Sequence, residues 1–204
     1  MQIGTFVGSL TDPELGADAL VNASNPEVAL GSGVSAAIRE ACGGLAYQRA
    51  IRETLEDEFG EPLEADDCLV TDAGEAKAFR HVLHVPAVDF RRRGADGAIT
   101  NADRVARCTR AAVAAADELA EGAASASEGD PSSESKVSFV LAMPLLGAGV
   151  GGLGEVRSAE VMLSEIAQRP PRFVSVVRFA VLREEHARLV RHAAERAGLA
   201  LEPA

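Results

Sequence analysis

Two stretches of this 204-residue chain combine residues that can hold a phosphate without a cationic side chain. The first runs from Asn22, Ala23, Ser24 and Asn25 to Gly31, Ser32, Gly33 and Val34. The second contains Pro144, then Gly147, Ala148, Gly149, Val150, Gly151 and Gly152, with Gly154 behind them. Glycine reaches left-handed backbone conformations cheaply, and without a Cβ its N–H groups approach an anion closely. Where such a loop opens a helix, the unpaired N–H groups of the first turn and the positive dipole end point at the same anion. One glycine loop in an α/β protein is ordinarily a tight connection. Two of them, each between a strand and a helix, point to a diphosphate.

The elements that must position these loops follow from periodicity. Residues 2–7 (QIGTFV) and 18–23 (DALVNA) read as strands, and Val34, Ala37, Ile38, Ala41 and Cys42 lie on one face of a helix ended by Gly43-Gly44. A second helix carries Ile51, Leu55 and Phe59 and stops at Gly60 and Pro62. Strands are expected over 68–71 and 81–88. A helix begins at Thr100, with Thr100 and Asp103 spaced as a capping box and Val105, Cys108, Ala112, Ala116 and Leu119 on its apolar face. The Ser-, Gly- and acid-rich residues 122–136 read as a mobile loop. Then come a strand over 137–143, a helix with Val156, Ala159, Leu163 and Ile166, a strand over 173–182 and a helix over 186–197. Strands alternating with helices imply one α/β domain over 1–204, a three-layer α/β/α sandwich with a mixed, mostly parallel central sheet. A lead strand pairing beside the others is expected to make the sheet mixed.

Composition narrows the partners. The length matches one domain at about 150 residues each, and 47% hydrophobic content is too high for a disordered chain. With 31 acids against 20 bases, the net charge of -11 argues against partners held by bulk attraction to phosphate or anionic lipid. Aromatic residues are 4% with no Trp, so a base-stacking platform is not expected. Cys42, Cys68 and Cys108 show no disulfide or zinc-ligand spacing. Neither a signal peptide nor an apolar run of 18 residues is present, so the expectation is a reduced, cytoplasmic protein off the membrane.

Other chemistry-bearing residues point to less. His81 and His84 sit three apart on a strand and face opposite ways, and His186 and His192 fall on different helix faces, so neither pair ligates one metal. Arg91, Arg92 and Arg93 form the one basic cluster, read first as a solvated turn and second as a contact for an RNA or DNA end. Gly147, Gly149 and Gly152 satisfy G-x-G-x-x-G, which raises a dinucleotide-binding rival. Against it stand the motif's late position, Pro144 at the strand end, and no acid at the end of the following strand to hold a ribose diol. Arg172 or Arg178 would suit a 2′-phosphate.

At this point the chain resembles a known family. DALVNASN (18–25) followed by GSGVSAAI (31–38), with PLLGAGVGG (144–152) later, is similar to the paired phosphate loops of macrodomains, and the order of elements matches over nearly the whole chain. The resemblance implies binding of ADP-ribose or an ADP-ribosylated macromolecule, nucleic acid entering only as a modified end, with no metal and no cofactor. It implies that residues 147–152 wrap the diphosphate through backbone N–H groups while Gly31, Ser32, Gly33 and Val34 close from the other side. Asn25 would bond the distal ribose hydroxyls and is the one tentative catalytic residue. Asn22 would brace the loop, with Ala23 beside it.

Departures from the family pattern define the alternatives. Ser9, with Leu10 after it, occupies the run where the family's adenine-binding Asp stands. Ser35 replaces the Asp of one hydrolase branch, Gly151 replaces the second loop's aromatic, and Leu182, with Phe179 nearby, stands where an aromatic often stacks on adenine. The reading is therefore an ADP-ribose-binding module. The alternatives are an ADP-ribosyl or O-acetyl-ADP-ribose hydrolase using the same cleft, and a degenerate member that binds another nucleotide or serves as an interaction module.

Overall fold

A computed structural model describes residues 1–94, 97–128 and 138–203. In chain order its strands and helices are β1 (Gln2–Val7), β2 (Ala19–Ala23), α1 (Gly33–Ala41), α2 (Gly44–Glu58), β3 (Leu69–Asp72), β4 (His81–Val85), α3 (Ala102–Glu128), β5 (Phe139–Met143), α4 (Glu155–Gln168), β6 (Val174–Val181) and α5 (Glu184–Arg196). The six strands form one sheet in the order β1-β6-β5-β2-β4-β3. Five of them run parallel. The lead strand β1 is parallel to β6, and it is the edge strand β3, antiparallel to β4, that makes the sheet mixed. β3 and β4 are joined by a short connection, so the antiparallel pairing needs no crossover helix.

Strand alternation sorts the core into two layers. Leu20, Val82 and Ala142 face Ile38, Tyr47 and Ile51 of α1 and α2. Their strand neighbours Val21, Leu83 and Leu141 face Val105, Ala159 and Val190 of α3, α4 and α5. With helices on both faces, central strands become continuously apolar runs such as ALVNA and FVLAM. The fold is the three-layer α/β/α sandwich.

Three local expectations are corrected. The strand expected over 81–88 ends at Val85, because Pro86 has no N–H to continue the ladder. The capping box at Thr100 does not form: Asn101 Oδ1 accepts the Arg104 N–H at 2.8 Å, and the Thr100 hydroxyl donates instead to the Ala87 carbonyl at 2.6 Å. Helix α3 runs on to Glu128 through residues read as the start of a loop, since the alanines of GAASASE favour helix more than its glycine opposes it. Of the segment 122–136, the part from 129 lies outside the described residues.

Asp117 of α3 ties that layer to the sheet. Its carboxylate accepts the backbone N–H groups of Arg172, Phe173 and Val174 at 3.0, 2.6 and 3.0 Å, fixing where β6 begins. Asp117→Ala leaves these donors unpaired and is expected to cost about 2–3 kcal/mol of stability in a urea titration. A loss under about 0.5 kcal/mol would contradict this role.

Candidate functional site

The carboxyl ends of the parallel strands share one edge of the sheet, and the candidate ligand-binding residues lie on or next to the loops leaving them. Ser9 and Leu10 follow β1, Leu182 follows β6, residues 147–152 follow β5, and Asn25 through Val34 follow β2, with Asn22 and Ala23 as the strand's last two residues. β5 and β2 are adjacent, pairing Ala19 with Leu141 and Leu20 with Ala142. The helices that follow them depart to opposite layers, α1 to one and α4 to the other. In open α/β sheets ligands bind in the crevice beyond the strand ends at such a switch point, and both glycine-rich loops leave the sheet there.

The first loop presents donors outward. Ser32 is the N-cap of α1 but makes no side-chain capping bond, and the first turn holds no acid. The N–H groups of Ser32, Gly33 and Val34 find no acceptor among the described residues. Gly31, Ser32 and Gly33 are exposed, and a Cβ on Gly31 or Gly33 would meet nothing within 4 Å. Gly33, at φ +57°, needs the left-handed conformation.

Behind this open rim the loop is held firmly. Asn25 Oδ1 accepts the Ala29 N–H at 3.1 Å, and its Nδ2 has no partner among the described residues. Gln48 of α2 donates to the Val28 carbonyl at 3.0 Å and accepts the Leu30 N–H at 2.6 Å, and Arg39 caps the Leu30 carbonyl at 3.0 Å. Val28, fully buried, sits at φ +48°, an outlying conformation for a β-branched side chain. Strain of this kind persists only where the surroundings over-determine it. Ser24 Oγ, beside Asn25, is buried without a hydrogen-bond partner among the described residues.

The second loop has a packed inner side and an open outer one. Its Gly147 (φ +71°) and Gly151 lie against Thr100, where added Cβ atoms would stand 2.8 and 2.9 Å from Thr100 Cγ2. The Gly151 carbonyl accepts the Ile99 N–H at 3.1 Å, and the Gly147 carbonyl accepts that of Leu153 at 3.1 Å. Ser158 of α4 donates to the Leu146 carbonyl at 2.8 Å. On the other side, the N–H groups of Gly149, Val150 and Gly151 have no acceptor among the described residues. Gly149 and Val150 are exposed, and Ala148 is half-buried. Gly151 is more than a lost aromatic: a Cβ there would stand 2.6 Å from the Gly147 carbonyl oxygen, so the loop has closed over that space. Helix α4 behind it begins with Glu155, which makes its N-terminus the poorer anion site of the two.

At the β1–β6 end the expectations are met unevenly. Ser9 Oγ is engaged locally, 3.0 Å from Thr11 Oγ1 and accepting the Thr11 N–H at 3.3 Å. The Leu10 side chain is buried in the core, so only its backbone can face a ligand. Leu182 is 80% exposed just past the end of β6, and Val7, the last residue of β1, is 47% exposed. The Phe179 ring, by contrast, is fully buried in the α3–α5 layer. Sequence reading missed Phe6, whose ring covers Gly8, and the fasteners Gln48 and Arg39.

Asn22 is a brace. It is fully buried, accepts the Ser35 hydroxyl at 2.8 Å and places Nδ2 3.0 Å from His84 Nδ1. Ser35 therefore points into the core and not at the crevice. Complete burial pushes His84 down to about 3 and keeps the imidazole neutral. Asp89, in the loop after β4, lies well below the usual carboxylate range because Arg91 donates to it, with Arg104 adding its charge against the cost of burial. Arg91 and Arg92 both lean on this buried acid, which occupies much of the basic cluster's charge. Burial raises the Cys42 thiol to about 11 and Cys108 to about 12, so neither is a ready nucleophile. Among the described residues no group of three or more His, Cys, Asp or Glu is placed to hold a metal ion, and no helix is long and apolar enough to cross a membrane.

Comparison with known proteins decides the family. A family model for the macro domain matches residues 21–162, spanning both loops. The chain belongs to the macrodomain family. A macrodomain of Oceanobacillus iheyensis, solved as a glycine-to-valine variant with ADPR, superposes with a TM-score of 0.71 at 21% identity, covering 94% of this chain and 91% of that one. A Trypanosoma brucei macrodomain in complex with ADP-ribose gives 0.65 at 20% identity, covering 94% and 68%. An uncharacterised protein of Aquifex aeolicus is 27% identical over 186 residues, 91% of this chain and 93% of its own length. Macrodomain membership and a strand order with β1 at one edge remove the dinucleotide-binding rival: the G-x-G-x-x-G follows the fifth strand of this sheet.

His84 generates a pH prediction. Its pKa is about 6.5 when unfolded and about 3 when folded, so below pH 6.5 the unfolded chain binds the extra proton. Stability from this group is complete above pH 6.5 and is lost as pH falls toward 3, by up to about 1.4 kcal/mol per unit. His84→Gln should flatten the difference in stability between pH 6 and pH 4 relative to the parent chain, read by urea titration. Parallel slopes in the two proteins would contradict it.

Proposed function

We propose that this macrodomain binds ADP-ribose or a closely related ADP-ribosyl group, with residues 1–204 acting as one domain. The reading rests on two sets of backbone donors without acceptors among the described residues, Ser32, Gly33 and Val34 after β2 and Gly149, Val150 and Gly151 after the neighbouring β5. Six oriented N–H groups are suited to a diphosphate, and they explain how a chain of net charge -11 can hold one. Asn25 Nδ2, without a partner among the described residues, is assigned to the hydroxyls of the distal ribose. Leu182, exposed after β6, is assigned to the adenine. The macrodomains whose solved forms carry ADPR or ADP-ribose support the same choice of ligand. An ADP-ribosylated macromolecule would present this group at the open side of the crevice.

Binding without efficient hydrolysis is the reading we favour. Attack at an anomeric carbon needs a positioned water and a group to deprotonate or orient it. The crevice residues assigned here are Asn, Gly, Ser, Ala and Val, none of which titrates near neutral pH. Ser35, at the position of one hydrolase branch's Asp, spends its hydroxyl on Asn22.

Calorimetric titration with ADP-ribose, NAD, NADP, ADP and AMP at one salt concentration tests the function. Micromolar or tighter binding of ADP-ribose, with NADP much weaker, is expected, and no binding to any of the five would refute it. Asn25→Asp keeps the acceptor for Ala29 while removing the free amide donor, and should weaken ADP-ribose about tenfold or more. Chromatography of O-acetyl-ADP-ribose incubated with the parent protein should return it intact. Rapid deacetylation abolished by Asn25→Ala would instead establish the hydrolase.

A further inference from the structure

Beneath the first loop, five side chains form one hydrogen-bonded line across three strands. Ser35 Oγ donates to Asn22 Oδ1 at 2.8 Å. Asn22 Nδ2 lies 3.0 Å from His84 Nδ1, His84 Nε2 lies 3.1 Å from Thr71 Oγ1, and Thr71 Oγ1 lies 2.9 Å from the Tyr47 hydroxyl. Tyr47 ends the line on the Asp72 carbonyl at 3.2 Å. An amide nitrogen only donates, so His84 Nδ1 must accept, and a neutral imidazole then carries its proton on Nε2. That proton goes to Thr71, whose own hydroxyl is left to donate to Tyr47. The donors run in one direction from Ser35 to the Asp72 carbonyl, with side contacts from Ser35 Oγ to the Ala23 carbonyl at 3.5 Å and from Tyr47 to Cys42.

Its upper end sits at a telling place. Ser35 is the third residue after the N-cap of α1, where a capping box would have a Glu or Gln reach back and occupy a backbone donor. Here that side chain turns down to β2, so the helix start is anchored from below while its N–H groups stay open. We propose that Tyr47, Thr71 and His84 are positioning residues for the anion cradle, acting through Asn22 and Ser35 to fix the direction in which the first turn of α1 presents its donors. This rests on the assignment of that turn to a phosphate, and it adds residues on β3, β4 and α2 that touch no ligand.

The test compares Thr71→Val, which keeps shape and removes the hydroxyl, with Thr71→Ser, which restores it. In backbone amide spectra of the unliganded protein, Thr71→Val is expected to shift the Gly33, Val34 and Ser35 resonances, two strands away from the substitution, while Thr71→Ser leaves them in place. Affinity for ADP-ribose should fall about three- to tenfold in Thr71→Val and return to within about twofold in Thr71→Ser. Long-range imidazole nitrogen–proton spectra of the parent protein should show His84 protonated on Nε2. Unmoved α1 amides in a folded Thr71→Val protein, or a proton on Nδ1, would overturn the proposal. If the parent fails to bind ADP-ribose, the amide and imidazole spectra still decide the positioning question separately. Tyr47→Phe, which removes only the last hydroxyl, gives the same amide comparison should Thr71→Val not fold.

Discussion

The pairing of β2 with β5 is the constraint on which the site depends. These strands are neighbours in the sheet but far apart in the chain, and their following helices lie on opposite faces. That divergence sends the two loops into helices on opposite faces, while both start at the same edge of the sheet. It also leaves backbone donors without partners, because a loop that rises over a strand end and enters a helix cannot pair its first N–H groups internally. Proteins usually satisfy such groups with caps. Here Ser32 does not cap, Ser35 turns away and Gly154 has no side chain, so N–H groups of both loops are left without acceptors among the described residues.

The electrostatics follow from that choice. A chain with 31 acids and 20 bases cannot draw in phosphate by bulk field, and its arginines near the edge are engaged with Asp89, Glu27 and Asp66. On the proposed function, attraction is short-ranged and geometric, supplied by amides whose partial charges act within the first helical turn. Geometry of this kind demands rigidity behind the loop. Gln48, Arg39 and the line from Ser35 to Tyr47 supply it on one side, and Thr100, Ile99 and Ser158 on the other. The positive φ of Val28 is maintained by the same fastening.

Much of this was legible in the sequence for a plain reason: glycines, Asn22 and Asn25 mark backbone geometry, and backbone geometry is local. Strand β1 and the start of α1 fall within a residue of where periodicity places them. What sequence could not show depends on contacts across the sheet. Nothing near β3 announces that it, and not β1, is the antiparallel strand. The competition between Thr100 and Asn101 for the cap of α3 is decided by the Ala87 carbonyl, which is distant in sequence. Phe179 and Leu182 are three residues apart, yet one is fully buried and the other 80% exposed, because β6 ends between them. Ser35 reads as a missing catalytic acid until its partner on β2 is seen.

The central claim is that backbone N–H groups at the β5–β2 crevice hold the diphosphate. Titrating the isotopically labelled protein with ADP-ribose while recording backbone amide spectra measures those groups directly. The largest shifts should fall on Ser32, Gly33, Val34, Gly149, Val150 and Gly151, with both loops responding at the same ligand concentration. Saturable binding whose shifts lie elsewhere, or on one loop alone, would contradict the account.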